Sequence, residues 1–180
     1  MSCQIILDNL HEALLWFIMN RKGAIFMLKG IKQSDKELLP VIQTYGCLFL
    51  CFANASPLII EGSEGRKALN KIWKEAEEKG YISGDINHDG DYDDDGEAEI
   101  QNHTALANEF FALDVRYDNI HHKADEKIPS KVAVVFGRYV FKFGHFVQLN
   151  KTKKVIFDSF GKSNTVMNGK LETMRWYYAN

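Results

Sequence analysis

Several kinds of residue pattern are missing from this 180-residue chain, and each absence removes a class of protein. Three cysteines, a small and odd number, do not build a disulfide framework. A reducing compartment, the cytoplasm, fits that usage best. Cations are not in excess: 22 Lys and Arg stand against 24 Asp and Glu, for a formal charge of −2. The basic stripe of a general nucleic-acid binder is therefore lacking, and no nucleic-acid partner is expected. The largest basic group, Lys151, Lys153 and Lys154, reads as a solvated hairpin tip. No internal repeat or low-complexity linker divides the chain, and no Cys or second His pair stands at zinc spacing beside His88, His121 and His122. The most apolar run, Ala13 to Met19, is too short for a transmembrane segment, has no basic region before it and no small-residue cleavage site after it.

What is present is ample apolar content, 46%, enough for one domain with a proper core. Leu7, Leu10, Leu14, Phe17 and Ile18 recur at helical spacing, so residues 4–20 read as a helix that packs on the body or, as the alternative, binds a partner or a membrane surface. Met27 is a second candidate start, which makes residues 1–26 an N-terminal helical extension and 27–180 a single domain. Ser34 opens a helix to about Thr44. Another runs from about Cys47 to Asn54, and Ser63 to Gly80 is amphipathic, with Leu69, Ile72, Trp73 and Ala76 inward and Gly80 as its stop. Ile100 to Leu113 reads as a further helix. From Val115 the pattern turns to strands, near 115–117, 132–136, 139–149, 155–160 and 174–178. Helices first and antiparallel strands later indicate an α+β fold.

Within that order three residues stand out. Pro40, Tyr45 and Gly46 break structure just before Cys47, which puts the thiol at a helix N-terminus, where partial positive charge favours thiolate. Tyr139–Leu149 and Lys154–Phe160 read as two arms of a hairpin around Asn150–Lys153. With a two- or four-residue turn, His145 lies directly across from Asp158, close enough for a carboxylate to accept from the imidazole; a one-residue slip would place them on opposite faces. Cys47 as nucleophile, His145 as base and then acid, and Asp158 fixing the ring tautomer is the layout of a thiol hydrolase. Taken singly, each is also an ordinary residue: Cys47 and Cys51 are spaced as packing residues of one helix. Cys51 sits a full turn in, among apolar neighbours.

A second motif is the acidic stretch from Gly84 to Glu97. Asp85, Asn87 and Asp89 followed by Gly90 match the first half of a calcium loop, with Asp91 and Asp93 at the next two ligand positions. Gly96 stands where a bidentate Glu is expected, so this is not a standard EF-hand. A bound calcium ion and a solvated acidic loop are both open readings, and calcium would be structural, since the chemistry at Cys47 requires no cofactor.

The pieces Gln43-Thr-Tyr-Gly-Cys47, Gly144-His-Phe-Val-Gln-Leu149 and Val155-Ile-Phe-Asp-Ser-Phe-Gly161 resemble the papain-like cysteine peptidase superfamily, in its bacterial C39-type branch. The resemblance implies a papain-like fold, with a helical N-terminal part whose nucleophile helix packs on a C-terminal antiparallel sheet. It assigns Gln43 to the oxyanion, Cys47 to attack, His145 to proton transfer and Asp158 to orienting His145. Gln43 precedes Cys47 by four residues where the family spacing is about six, and Leu48 and Phe49 replace the usual small residues. The phrases YGCLFL, SGDINHDGDYDDDGE, GHFVQLN and MRWYYAN also resemble an uncharacterised family of plasmid-encoded spirochaete proteins, which implies no activity. The expected function is a thiol-dependent peptidase or amidase acting on a peptide or amide substrate. The alternative is a non-catalytic module that keeps the scaffold to hold a partner.

Overall fold

The computed structural model describes residues 30–89, 91, 92 and 96–180; the expected helix over 4–20 and the 1–26 extension lie outside them. Helices α1 (Pro40–Tyr45), α2 (Cys47–Ala55) and α3 (Gly62–Glu78) come first, then one turn, α4 (His103–Ala105), that widens into a π-helix over Leu106–Phe110. The strands follow: β1 (Val115–Tyr117), β2 (His122–Lys123), β3 (Val132–Val140), β4 (Gly144–Leu149), β5 (Val155–Asp158) and, after α5 (Asn164–Asn168), β6 (Lys170–Ala179). They form one six-stranded antiparallel sheet in the order β1-β6-β3-β4-β5, with β2 also on β6. The class is α+β, as the order of patterns indicates.

α2 is apolar all round because it has no solvent face: Phe49, Leu50, Cys51, Phe52 and Ala53 are all buried. The ring of Phe52 meets Phe136 of β3 edge-on at 4.9 Å and Tyr177 of β6 at 5.3 Å, while Phe49 meets Trp73 of α3 at 5.1 Å. The helix is thus wedged between the sheet and α3. α3 buries Leu69, Trp73 and Ala76 against it and ends where Gly80 takes a φ of +69°. The other face of the sheet carries a second core, with Val135, Val147, Leu149, Met174 and Trp176.

Two strand expectations need correction. The run Tyr139–Leu149 is not one strand: it folds back at Phe141–Phe143, with Val140 pairing Gly144. Phe-Lys-Phe carries strand formers and none of the usual turn residues, so composition hides the turn. The β4–β5 register also differs, since Asp158 pairs with Val147 and not with His145. Asn150 N–H donates to the Lys154 carbonyl at 2.9 Å, and Lys153 has a φ of +63°. The loop is therefore the Lys151–Lys153 kind that ends in a left-handed residue, which slips the pairing by one. The ladder then jumps from Leu149↔Val155 to Gln148↔Phe157, leaving Ile156 as a bulge that slips it once more. After two slips Asp158 is back on the face of His145, as its diagonal neighbour.

Gly46 joins α1 to α2. A Cβ there would stand 2.5 Å from the Ile42 carbonyl oxygen, so only glycine allows one helix to end and the next to begin at Cys47. Gly46→Ala is expected to cost about 1–3 kcal/mol by overpacking, measured as a lower urea midpoint. An unchanged midpoint would show that the junction relaxes freely.

Candidate functional site

The wedge that holds α2 also fixes where its first residue lies. β5 leaves the sheet after Asp158, whose partner is Val147, so the ladder stops one residue short of Phe146. Cys47 comes to β4 at that point, and the Phe146 N–H donates to its Sγ at 3.5 Å. Two turns deeper, Asn54 donates to the Gln148 side chain at 2.6 Å, a second tie between α2 and β4.

His145 lies next to Phe146 and is 4% exposed. Its Nε2 and Asp158 Oδ1 are 2.9 Å apart. An ionised carboxylate only accepts, so Nε2 carries the proton and Nδ1 is left for the sulfur. Asp158 is held by further donors: Phe160 N–H on Oδ1 at 3.0 Å and Ser163 N–H on Oδ2 at 2.7 Å. The Phe160 ring leans over His145, with centroids 5.2 Å apart.

Burial works against charge on His145, but hydrogen bonds to Asp158 and to Cys47 outweigh it and raise its pKa to about 9. Burial likewise opposes charge on Asp158. The hydrogen bonds from His145 and from the Ser163 and Phe160 N–H groups prevail there and lower it to about 2. The pair is thus an imidazolium and a carboxylate at neutral pH. The Cys51 thiol is pushed up by burial, chiefly, and by Cys47 and Asp158, which keeps it protonated and inert.

The structure therefore brings Cys47, His145 and Asp158 together and leaves Gln43 apart. The Gln43 amide donates to the Leu38 carbonyl at 2.7 Å, at the entrance of its own helix. A different glutamine matters more. Gln33 is 1% exposed; its N–H donates to the Ser159 carbonyl at 2.9 Å, its Oε1 accepts from the Ser159 hydroxyl at 2.8 Å, and its Nε2 donates to the Thr44 carbonyl at 3.2 Å. It clamps the turn after Asp158 to the end of α1. Nothing in its sequence context distinguishes it from a surface turn residue.

Beside Cys47 opens a cleft of about 500 Å³ bordered by Phe146, Gly144, Arg138, Arg175 and His121. His103 also borders it, but its Nδ1 is 2.6 Å from the Tyr177 hydroxyl, and burial, then Arg175, lowers its pKa to about 3.

The acidic loop springs from an Ile82↔Ile100 bridge. Asn87 Oδ1 accepts from the Asp89 N–H and Asp89 Oδ1 from the Asp91 N–H, at 3.0 and 3.1 Å, while Glu97 accepts from the Ile86 N–H at 2.7 Å. Asp93 lies outside the described residues. Among those described, no three His, Cys, Asp or Glu side chains converge as a metal site.

An α+β domain with a cysteine, a histidine and an aspartate meeting at one helix start is the class these observations define. The chain belongs to the family described as Protein of unknown function, DUF261, whose model matches residues 27–179. No curated protein and no solved structure matches it. No helix among the described residues is long and apolar enough to cross a membrane.

The pKa shifts set a pH window for stability. The contribution of His145, raised from 6.5, is complete below pH 6.5 and lost as pH rises through about 9. That of Asp158, lowered from 3.8, is complete above pH 3.8 and lost as pH falls through about 2. Melting temperature is expected to fall above pH 6.5, and His145→Ala to flatten that limb. A variant with the same alkaline slope as the parent would show that the imidazolium contributes nothing.

Proposed function

We propose that this chain is a thiol hydrolase, a peptidase or amidase of papain-like arrangement, that cleaves an amide bond through a thioester at Cys47. The observation that carries the reading is the single place where the sulfur accepts from Phe146 N–H while the imidazole hydrogen-bonded to it is held by a buried carboxylate. The chain order of the three residues and their placement, nucleophile on a helix against an antiparallel sheet bearing base and acid, favour that arrangement over chance packing.

In this reading the Cys47 proton already rests on His145, and the thiolate is stabilised by the imidazolium and the Phe146 N–H. It attacks the substrate carbonyl, forming the S–C bond and placing negative charge on the carbonyl oxygen. With Gln43 turned away, the backbone N–H of Cys47, in the first turn of α2 where N–H groups lack helical partners, is the donor for that oxyanion. His145 then protonates the leaving amine as the C–N bond breaks. Water, deprotonated by His145, attacks the thioester, and the carboxylic acid product leaves as the C–S bond breaks and the thiolate beside the imidazolium is restored. Asp158 keeps the ring in one tautomer throughout. The acidic loop, with or without calcium on Asp85, Asn87, Asp89, Asp91 and Asp93, takes no step in this sequence.

Iodoacetamide tests the central claim. At pH 6, Cys47 is expected to be alkylated about tenfold or more faster than N-acetylcysteine, with the advantage lost in His145→Ala and Cys51 left unlabelled. A rate equal to that of the free thiol and indifferent to His145 would remove the hydrolase and leave a peptidase-shaped interaction module.

A further inference from the structure

One guanidinium in the wall of the Cys47 cleft has no bonded counter-ion among the described residues. Arg175 of β6 sits opposite Phe136 of β3, on the sheet face that packs α2. Its Nε and Nη1 are sealed from solvent and donate to no acceptor among the described residues. The guanidinium lies 5.3 Å from the centroid of the Phe146 ring, a contact that offsets part of its desolvation but does not neutralise it. The other basic groups beside it add little to that charge. Arg138, diagonal to Arg175 across β3 and β6, is ion-paired with Glu172, and His121 has its pKa lowered by burial, Arg175 and Arg138. One exposed carboxylate, Glu99, borders the same cleft without bonding to either arginine.

We propose that this end of the cleft is an anion subsite, in which Arg175 takes a carboxylate that the substrate carries close to the carbonyl attacked by Cys47. Phe146 sets the spacing: its N–H is on the sulfur and its ring is under the guanidinium, so nucleophile and anion site are separated by one residue. A flat guanidinium suits a carboxylate better than a single-point anion. The carboxylate belongs either to an acidic side chain beside the scissile bond or to the free C-terminus of a short peptide. The inference rests on the hydrolase reading for what is attacked, and only on the cleft for what is held.

Iodoacetate and iodoacetamide make the same S–C bond and release the same iodide; they differ in carrying a carboxylate or a neutral amide. The ratio of their rates at Cys47, divided by that ratio for N-acetylcysteine, reads the subsite independently of thiol reactivity. We expect it to be raised about tenfold by the local field, to fall severalfold in Arg175→Gln, to be largely kept in Arg175→Lys, and to drop in the parent protein as salt shortens the Debye length. A ratio equal to that of the free thiol, or one unchanged in Arg175→Gln, overturns the proposal. If Cys47 reacts with iodoacetamide only at the free-thiol rate, the hydrolase reading falls while the ratio still tests the subsite; a Cys47 that is fast with iodoacetamide but shows the free-thiol ratio does the reverse. Protection of Cys47 from iodoacetamide separates the two sources. N-acetyl-Ala-Glu-amide protects if the side chain is read, and N-acetyl-Ala-Ala with a free terminus if the terminal carboxylate is. Equal protection by N-acetyl-Ala-Ala-amide would overturn the proposal.

Discussion

The burial of α2 on every side is the constraint from which the rest follows. With Phe52 set against Phe136 and Tyr177 and Phe49 against Trp73, the helix can neither rotate nor slide without opening a cavity, and deleting such an aromatic typically costs about 3–5 kcal/mol. Its first residue is thereby delivered to one point on β4. The glycine before it, pressed onto the Ile42 carbonyl, makes that delivery abrupt, so that the sulfur meets strand backbone at the border of the cleft.

A buried ion pair is poor evidence of stability, because desolvation takes back much of its Coulomb energy. What distinguishes His145–Asp158 is how fully the carboxylate is supplied with donors: the imidazole and two backbone N–H groups from the turn that follows it. That turn is itself fastened by Gln33 to the end of α1. The acid, the base and the helix that carries the thiol are therefore positioned through one hydrogen-bonded chain as well as through the core. A change in the turn at Ser159 would be felt at both ends of the trio.

Much of this was legible in the sequence where periodicity was strong. α3 follows from its apolar stripe and glycine stop, α2 from its unbroken apolar run, and the α+β order from the change of pattern at Val115. The β3–β4 turn was hidden by aromatic residues that also suit strands, although Phe143 is 79% exposed. β2 and α5 are too short to leave a pattern, and β6 begins several residues earlier than its aromatic end indicates. The trio was legible from chain order, but its register was not, since bulges depend on tertiary twist. Gln33, the Phe146 N–H and Arg175 were not legible, because their importance lies in what the fold sets beside them.

The two irregularities of the β4–β5 hairpin have a consequence for how such a chain can vary. Each alone inverts the side of the sheet on which every later residue of β5 emerges; together they cancel. Shortening the Lys151–Lys153 connection by one residue while keeping the Ile156 bulge would send the carboxylate of Asp158 away from the imidazole and bring the Phe157 ring round in its place. Length changes in this arm are therefore tolerated in even numbers, a parity rule imposed by the pleat on any sequence that keeps the pair.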